Sequence, residues 1–195
     1  TPKGEIISTT LRGLKHQPGM VEKHYLSTPE DIEKYLSLPE PEIGGDVDGF
    51  FAADREIGDR GITLCGLPLN PAGWAALMVG SEAFAIMTLT DRDLLHALCA
   101  YQQRIQLRLV DYLLARGVGP FFASYGQEYL TPPLHGRKDF FDFNVRYDKP
   151  IFDRIHEAGG RMHVHSHGPI RTVVDGFLEM GADVLHPFEP PPMGD

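Results

Sequence analysis

Three histidines stand at alternate positions in Arg161-Met162-His163-Val164-His165-Ser166-His167-Gly168. Side chains alternate between the faces of an extended strand, so His163, His165 and His167 share one face while Met162 and Val164 take the other. A rise of about 3.3 Å per residue separates neighbours in this series by roughly 6.6 Å at Cα, and its two ends by roughly 13 Å. Adjacent members can share an ion; the outer two cannot easily do so. A metal is therefore expected with His165 and His167, toward the carboxyl end of the strand, where parallel α/β enzymes place their active sites. Zinc is the expected ion, because imidazole is a common ligand for it and a catalytic site needs three protein ligands and an open position. Glu189, just past the next expected strand in His186-Pro187-Phe188-Glu189, is the leading third ligand, and His186 is the runner-up. Two other readings stay open. In one, the imidazoles and the helix start at Gly168-Pro169 form a metal-free pocket for an anionic substrate; in the other, the histidines are structural.

Further residues could serve the same site. Glu128 follows a strand at the same end and could act as acid or base, as could Glu189. Tyr125 and Tyr129 could line the pocket, with His163 and His186 touching substrate. His135 and Arg137, in the next loop, could hold a substrate carboxylate. His16, His24 and His96 are expected to be ordinary surface or partly buried residues. Cys65 and Cys99 show no metal-binding or redox spacing.

The elements that must position these residues alternate in type. Residues 5–11 are β-branched and bounded by glycine, and read as a strand. Ser27-Thr28-Pro29-Glu30-Asp31 opens a helix: a hydroxyl cap, proline at the first position and carboxylates in the first turn. Residues 39–46 read as loop and 47–57 as a helix capped by Asp46. Residues 61–66 read as a short buried strand. Asn70-Pro71 starts a helix carrying Trp74, Leu77 and Met78, and Ser81 starts another. A third runs from Asp91 to about Arg116 behind a stripe of Leu94, Leu95, Leu98, Tyr101, Ile105, Leu109, Tyr112 and Leu113. Then come a strand at 120–125, helix over 138–158, the histidine strand at 161–167, a helix at 169–180 closed by Gly181, and a strand at 182–187. Strand–helix–strand repetition with glycine stops predicts parallel βαβ units. A barrel and an open doubly wound sheet fit it equally.

Composition bounds the rest. The chain has 195 residues, 42% hydrophobic and 23% charged, as an ordinary globular domain would. No apolar run approaches the roughly 18–20 residues that span a bilayer. A net charge of −9 argues against nucleic-acid binding, and no polybasic patch suggests a membrane surface. A cytoplasmic location is the expectation.

Several stretches resemble one known family. Gly126-Gln127-Glu128-Tyr129-Leu130-Thr131-Pro132-Pro133, the helix end Ile155-His156-Glu157-Ala158-Gly159-Gly160, His165-Ser166-His167-Gly168 and Glu179-Met180-Gly181-Ala182-Asp183 are similar to the uroporphyrinogen decarboxylase superfamily. The opening Thr1-Pro2-Lys3-Gly4-Glu5 and the helix start Thr28-Pro29-Glu30-Asp31 resemble that family's mid-chain segment. The resemblance implies an α/β TIM (β/α)8 barrel, present here as an incomplete fragment. Residues 1–195 would be the central part of a single domain, with N- and C-terminal barrel segments missing; a whole barrel usually needs about 250 residues.

The superfamily holds two chemistries. Its decarboxylases (lyases) need no metal and use an aspartate and arginines near the N-terminus. Its corrinoid-linked methyltransferases carry zinc on a His-x-Cys strand and a later Cys, and related cobalamin-independent methionine synthases add a Glu. His165 matches the family His, His167 replaces the Cys, and Glu189 sits about where that Glu would be. The resemblance thus implies a zinc-dependent methyltransferase acting on a small methylated substrate or a corrinoid, the corrinoid being substrate or carried by a partner protein. Imidazole in place of thiolate leaves the ion more positive, a better Lewis acid and a poorer keeper of a nucleophilic thiolate. A metal-free uroporphyrinogen-type decarboxylase and a non-catalytic barrel binding a corrinoid or other small ligand are the alternatives. Open sheet edges in such a piece favour self-association or complementation by the missing segments.

Overall fold

A computed structural model describes residues 1–14 and 17–195; His16 lies outside the described residues. The chain opens with a small antiparallel hairpin, β1 (Thr9–Leu11) and β2 (Met20–Lys23), exposed along its whole length. The strand expected over 5–11 is thus shorter, and it belongs to this hairpin and not to the main sheet. Helix α1 (Pro29–Leu36) begins as its sequence dictates. Thr28 Oγ1 accepts from the Asp31 backbone N–H at 3.2 Å, with Pro29 in the first turn. Helix α2 (Asp48–Ile57) follows the loop, and the Asp46 carboxylate accepts from Asp48 N–H.

The main sheet starts at β3 (Cys65–Leu69), several residues later than the sequence suggests. Pro68 cannot donate to a ladder, which suits an edge strand, and β3 is one. The chain continues through α3 (Pro71–Val79), α4 (Ser81–Thr90), α5 (Arg92–Leu114) and β4 (Phe121–Tyr125). A short turn, α6 (Arg137–Asp139), leads through a π-helical stretch, Phe140–Val145, into α7 (Arg146–Glu157). Then come β5 (Arg161–His165), α8 (Val174–Met180) and β6 (Val184–His186). β5 is shorter than expected: Ser166 N–H still donates to His186 O at 2.9 Å, and His167 lies beyond that last ladder bond in the loop. The helix expected from 169 begins as a 3₁₀ turn at Arg171–Val173.

Strands β3-β4-β5-β6 are adjacent in that order and all parallel, giving an open sheet that does not close on itself. One face lies under helices. Phe122, Met162 and Val164 point into a core with Phe152, Ile155, Phe177 and Met180 from α7 and α8, all essentially inaccessible. A second core joins α1, α3, α4 and α5 around Ile32, Phe84, Leu95 and Leu98. Helix α5 borders both, and its inner stripe differs from the sequence reading. Gln102 and Gln106 are buried, while Ile105, Leu109 and Tyr112 are only half-buried. Hydrogen bonds account for this, since Gln102 Nε2 donates to Tyr35 Oη at 2.9 Å and Gln106 Nε2 to Leu69 O at 2.6 Å. Among the described residues no single helix is long and apolar enough to cross a membrane.

Candidate functional site

The helix-free face of the sheet carries the chemistry. Register places Tyr125, His165 and His186 side by side across β4, β5 and β6 at the carboxyl end, with Ala123, His163 and Val184 in the row below. The alternation expected for the histidine strand holds. Met162 and Val164 are fully buried under the helices, while His163 and His165 lie half-buried on the open face. Gly66 in β3 contributes by absence, because a Cβ there would lie 3.0 Å from Tyr125 Oη. The missing side chain leaves room for the Tyr125 ring.

Four imidazoles and a carboxylate meet at this end. His163 Nε2 lies 2.8 Å from His186 Nδ1, and His186 Nε2 lies 3.3 Å from His165 Nδ1. The His165 and His167 rings meet edge to face with centroids 4.6 Å apart. His167 Nδ1 lies 3.0 Å from Glu189 Oε1, and Glu189 Oε2 accepts from Gly168 N–H at 2.9 Å. Burial, then the neighbouring imidazoles of His186 and His165, hold His163 below the ordinary histidine value. Burial, His167 and His186 do the same for His165, against weaker opposition from Glu128 and Glu189. Glu189 is held below the usual carboxylate range by the Gly168 amide first and His167 second. The downward shifts of His163, His165 and Glu189 all run in the direction that metal binding requires.

Donor separations allow a further test of fit. Two nitrogens on a tetrahedral zinc, each about 2.0–2.1 Å from it, stand roughly 3.3–3.4 Å apart. The His165–His186 pair, at 3.3 Å, has that separation, and the His167–Glu189 pair, at 3.0 Å, comes near it. Among the described residues no three His, Cys, Asp or Glu side chains converge on one point. The donors stand in pairs.

The other sequence candidates fall into two groups. Tyr125 and Glu128 border the cluster, Tyr125 with its ring centroid 6.2 Å from that of His165. Glu128 Oε2 accepts from Gly126 N–H at 3.2 Å. Tyr129, His135 and Arg137 are engaged elsewhere. Tyr129 packs against the second core. His135 is buried with its ring edge-on to Phe84 and Nδ1 3.6 Å from Asp139, and burial lowers its pKa. Arg137 makes a two-point pair with Asp175, each contact 2.5 Å. A loop position beside a barrel mouth was the reason for expecting these three at substrate; packing and ion pairing take them up instead. His24 contacts Leu77 O, and His96 stacks on Phe143 and meets Tyr147 Oη at 3.0 Å, as ordinary residues do.

Sequence reasoning missed a second polar constellation. Asp148 on α7 is fully buried and accepts from Asn70 Nδ2 at 3.0 Å and from Gln127 Nε2 at 2.8 Å. Asn70 Oδ1 caps α3 through Gly73 N–H, and Asn70 N–H donates to Tyr125 O at 2.7 Å. Asn144 Nδ2 donates to Gln127 O at 3.0 Å. The network thus ties the ends of β3 and β4 to α7 and fixes the backbone that carries Tyr125 and Glu128. Burial pushes the Asp148 carboxyl up to about 7, against the pull of Gln127 and Asn70. Nothing in its sequence context separates Asp148 from the surface carboxylates of the same helix; only the helix phase, placing it with Tyr147, Ile151 and Ile155 on the inner face, could have.

No protein-family model matches the chain, and neither does any curated protein. A solved methyltransferase from Methanosarcina mazei does match, with a TM-score of 0.62 at 11% sequence identity. The match covers 94% of this chain and 53% of the methyltransferase, so the chain spans about half that protein's length. The likeness is one of fold. It agrees with the parallel α/β architecture, and the match extends over nearly all of the chain.

Proposed function

We propose that the chain forms part of a (β/α)8-barrel enzyme in the methyltransferase branch of the uroporphyrinogen decarboxylase superfamily, with a zinc ion at His165 and His167. One observation carries the reading: imidazoles and a carboxylate gather at the carboxyl ends of β5 and β6, with donor pairs 3.3 Å and 3.0 Å apart. The sequential parallel strand order and the methyltransferase-like fold support the barrel and the activity. His186 stands beside His165 and Glu189 beside His167, and these two are the candidates for a third ligand.

Zinc bound here would act as a Lewis acid toward an oxygen, nitrogen or sulfur of a small methylated substrate or of the methyl acceptor. The remaining work falls to the chain. His165 and His167 would supply lone pairs. Glu189, fixed by Gly168 N–H, holds the His167 ring in orientation. Glu128, beside the cluster, can take or return a proton on the reacting heteroatom. Tyr125, packed over Gly66, walls the site on the β3 side. A corrinoid, carried by a partner protein, would be the other methyl carrier.

Zinc analysis of the purified protein and of His165→Ala and His167→Ala tests the reading. Loss of zinc in both variants is expected. Unchanged zinc content in both would overturn it.

A further inference from the structure

Both edges of the main sheet are free. Strands β3, β4, β5 and β6 are parallel and adjacent in chain order, and among the described residues neither β3 nor β6 has a strand on its outer side. A free edge is a row of unpaired backbone donors and acceptors, and it recruits another strand unless charge or another element covers it. Here both edges carry apolar side chains. Ile62 and Leu64, leading into β3, are 59% and 44% exposed; Val184 in β6 is 53% exposed, and Phe188 just past it 68%. Between the edges the open face sinks into a cavity of about 350 Å³ bordered by Ile62, Leu64, Phe121, His163 and Val184. It lies toward the amino ends of the strands, below the row of Tyr125, His165 and His186. In a small barrel that level is filled by layers of side chains.

We infer that a second copy of the chain covers this face, the two four-stranded sheets closing into one eight-stranded barrel, an inference that rests on the barrel reading above and is independent of the zinc. Eight is the strand count at which a parallel barrel closes around side chains alone. The chain has four, and it spans about half of the methyltransferase it matches, so two copies bring the strands and the length of one barrel. A two-fold axis along the barrel keeps all eight strands parallel. It sets β6 of each copy beside β3 of the other, so the two junctions are the same contact and no edge remains. Val184 and Phe188 then stand on one side of each junction, and Ile62 and Leu64 on the other, apolar against apolar. Each copy commits two edges and a whole sheet face, the kind of extensive apolar surface that obligate dimers bury. The same axis puts both histidine clusters on one rim. Beside His186, where the single chain leaves the cluster open, β3 of the second copy supplies the missing wall.

Light scattering on the gel-filtered protein should give twice the 21.7 kDa chain mass over a wide range of concentration. Leu64→Lys and Val184→Lys each place a charge in both junctions, and each should weaken dimerisation by about 100-fold. Leu178→Lys, at an exposed position on α8, should leave it unchanged. Circular dichroism checks that each variant is folded; should one edge variant unfold, the other and a cross-link decide. Within one chain β3 and β6 stand three strand spacings apart, roughly 14 Å, well beyond the roughly 7 Å that a disulfide can bridge. Val184→Cys combined with Ile62→Cys or with Leu64→Cys should therefore give covalent dimers on oxidation and nothing larger. A monomer at every concentration would overturn the inference and leave the barrel reading standing, with another polypeptide to complete it. A dimer that survives both edge charges would do the same. A ladder of cross-linked trimers and longer species would mean that the sheet adds strands without closing, and would remove both.

Discussion

The molecule gathers polar side chains in two places, on opposite sides of the same sheet, and treats them oppositely. Behind the sheet, Asp148, Asn70, Asn144 and Gln127 are fully buried, and donors there face acceptors. On the open face, His163, His165, His167 and His186 crowd ring against ring, and for three of them the nearest polar atom is another imidazole nitrogen. A buried hydrogen-bonded network contributes to folding and holds the strand ends in place, even with Gln127 Oε1 left without a partner. Exposed imidazoles paired mainly with one another contribute little to folding and suit a ligand that is positively charged. Stability should therefore depend on the first group, and binding on the second.

The largest expected effect is on the buried side. Asp148→Ala strands the side-chain amides of Asn70 and Gln127, and should cost about 3 kcal/mol in urea unfolding. A cost under about 1 kcal/mol would erase the contrast between the two regions. The pH dependence follows from the same residue. Its folded pKa of about 7 stands above the ordinary aspartate value of 3.8, so between those limits the folded state holds a proton that the unfolded state has lost. Stability contributed by this group should therefore fall as pH rises from about 4 to about 7 and stay level above. Asp148→Asn should flatten that slope, and an unchanged slope would mean that the carboxyl ionises normally.

On the open face the expectation reverses. His163→Ala, His165→Ala and His186→Ala should each change unfolding free energy by under about 1 kcal/mol, because no buried acceptor loses its donor. A loss as large as that of Asp148→Ala in any of them would assign the imidazoles a structural role. The smallest effect concerns the wall between the regions. Gly66→Ala brings a methyl within 3.0 Å of Tyr125 Oη, and should cost about 1 kcal/mol. The cost should shrink in a Tyr125→Phe background, and equal costs in both backgrounds would show that the ring does not rest on Gly66.

Both regions depend on strand geometry, yet only one was legible in the sequence. Alternation in Met162-His163-Val164-His165 carries its own phase, so the facing of the histidines follows from the period of a strand alone. The pairing of His186 with His163 and His165 needed the β5–β6 register, which no local pattern contains. The buried network joins residues 70, 127, 144 and 148 through contacts distant in sequence, and Asp148 looks like any helical carboxylate until its helix is docked. The stripe of α5 misled for the same reason, since Gln102 and Gln106 are buried by partners on other elements. The hairpin β1–β2 was misplaced because β-branched composition predicts extension but not which sheet a strand joins.

Zinc content measured side by side in wild type, His165→Ala and His167→Ala bears most directly on the contrast between the two regions. The account predicts close to one zinc per chain in wild type and a large loss in both variants, with folding intact. Equal zinc in all three proteins would contradict it.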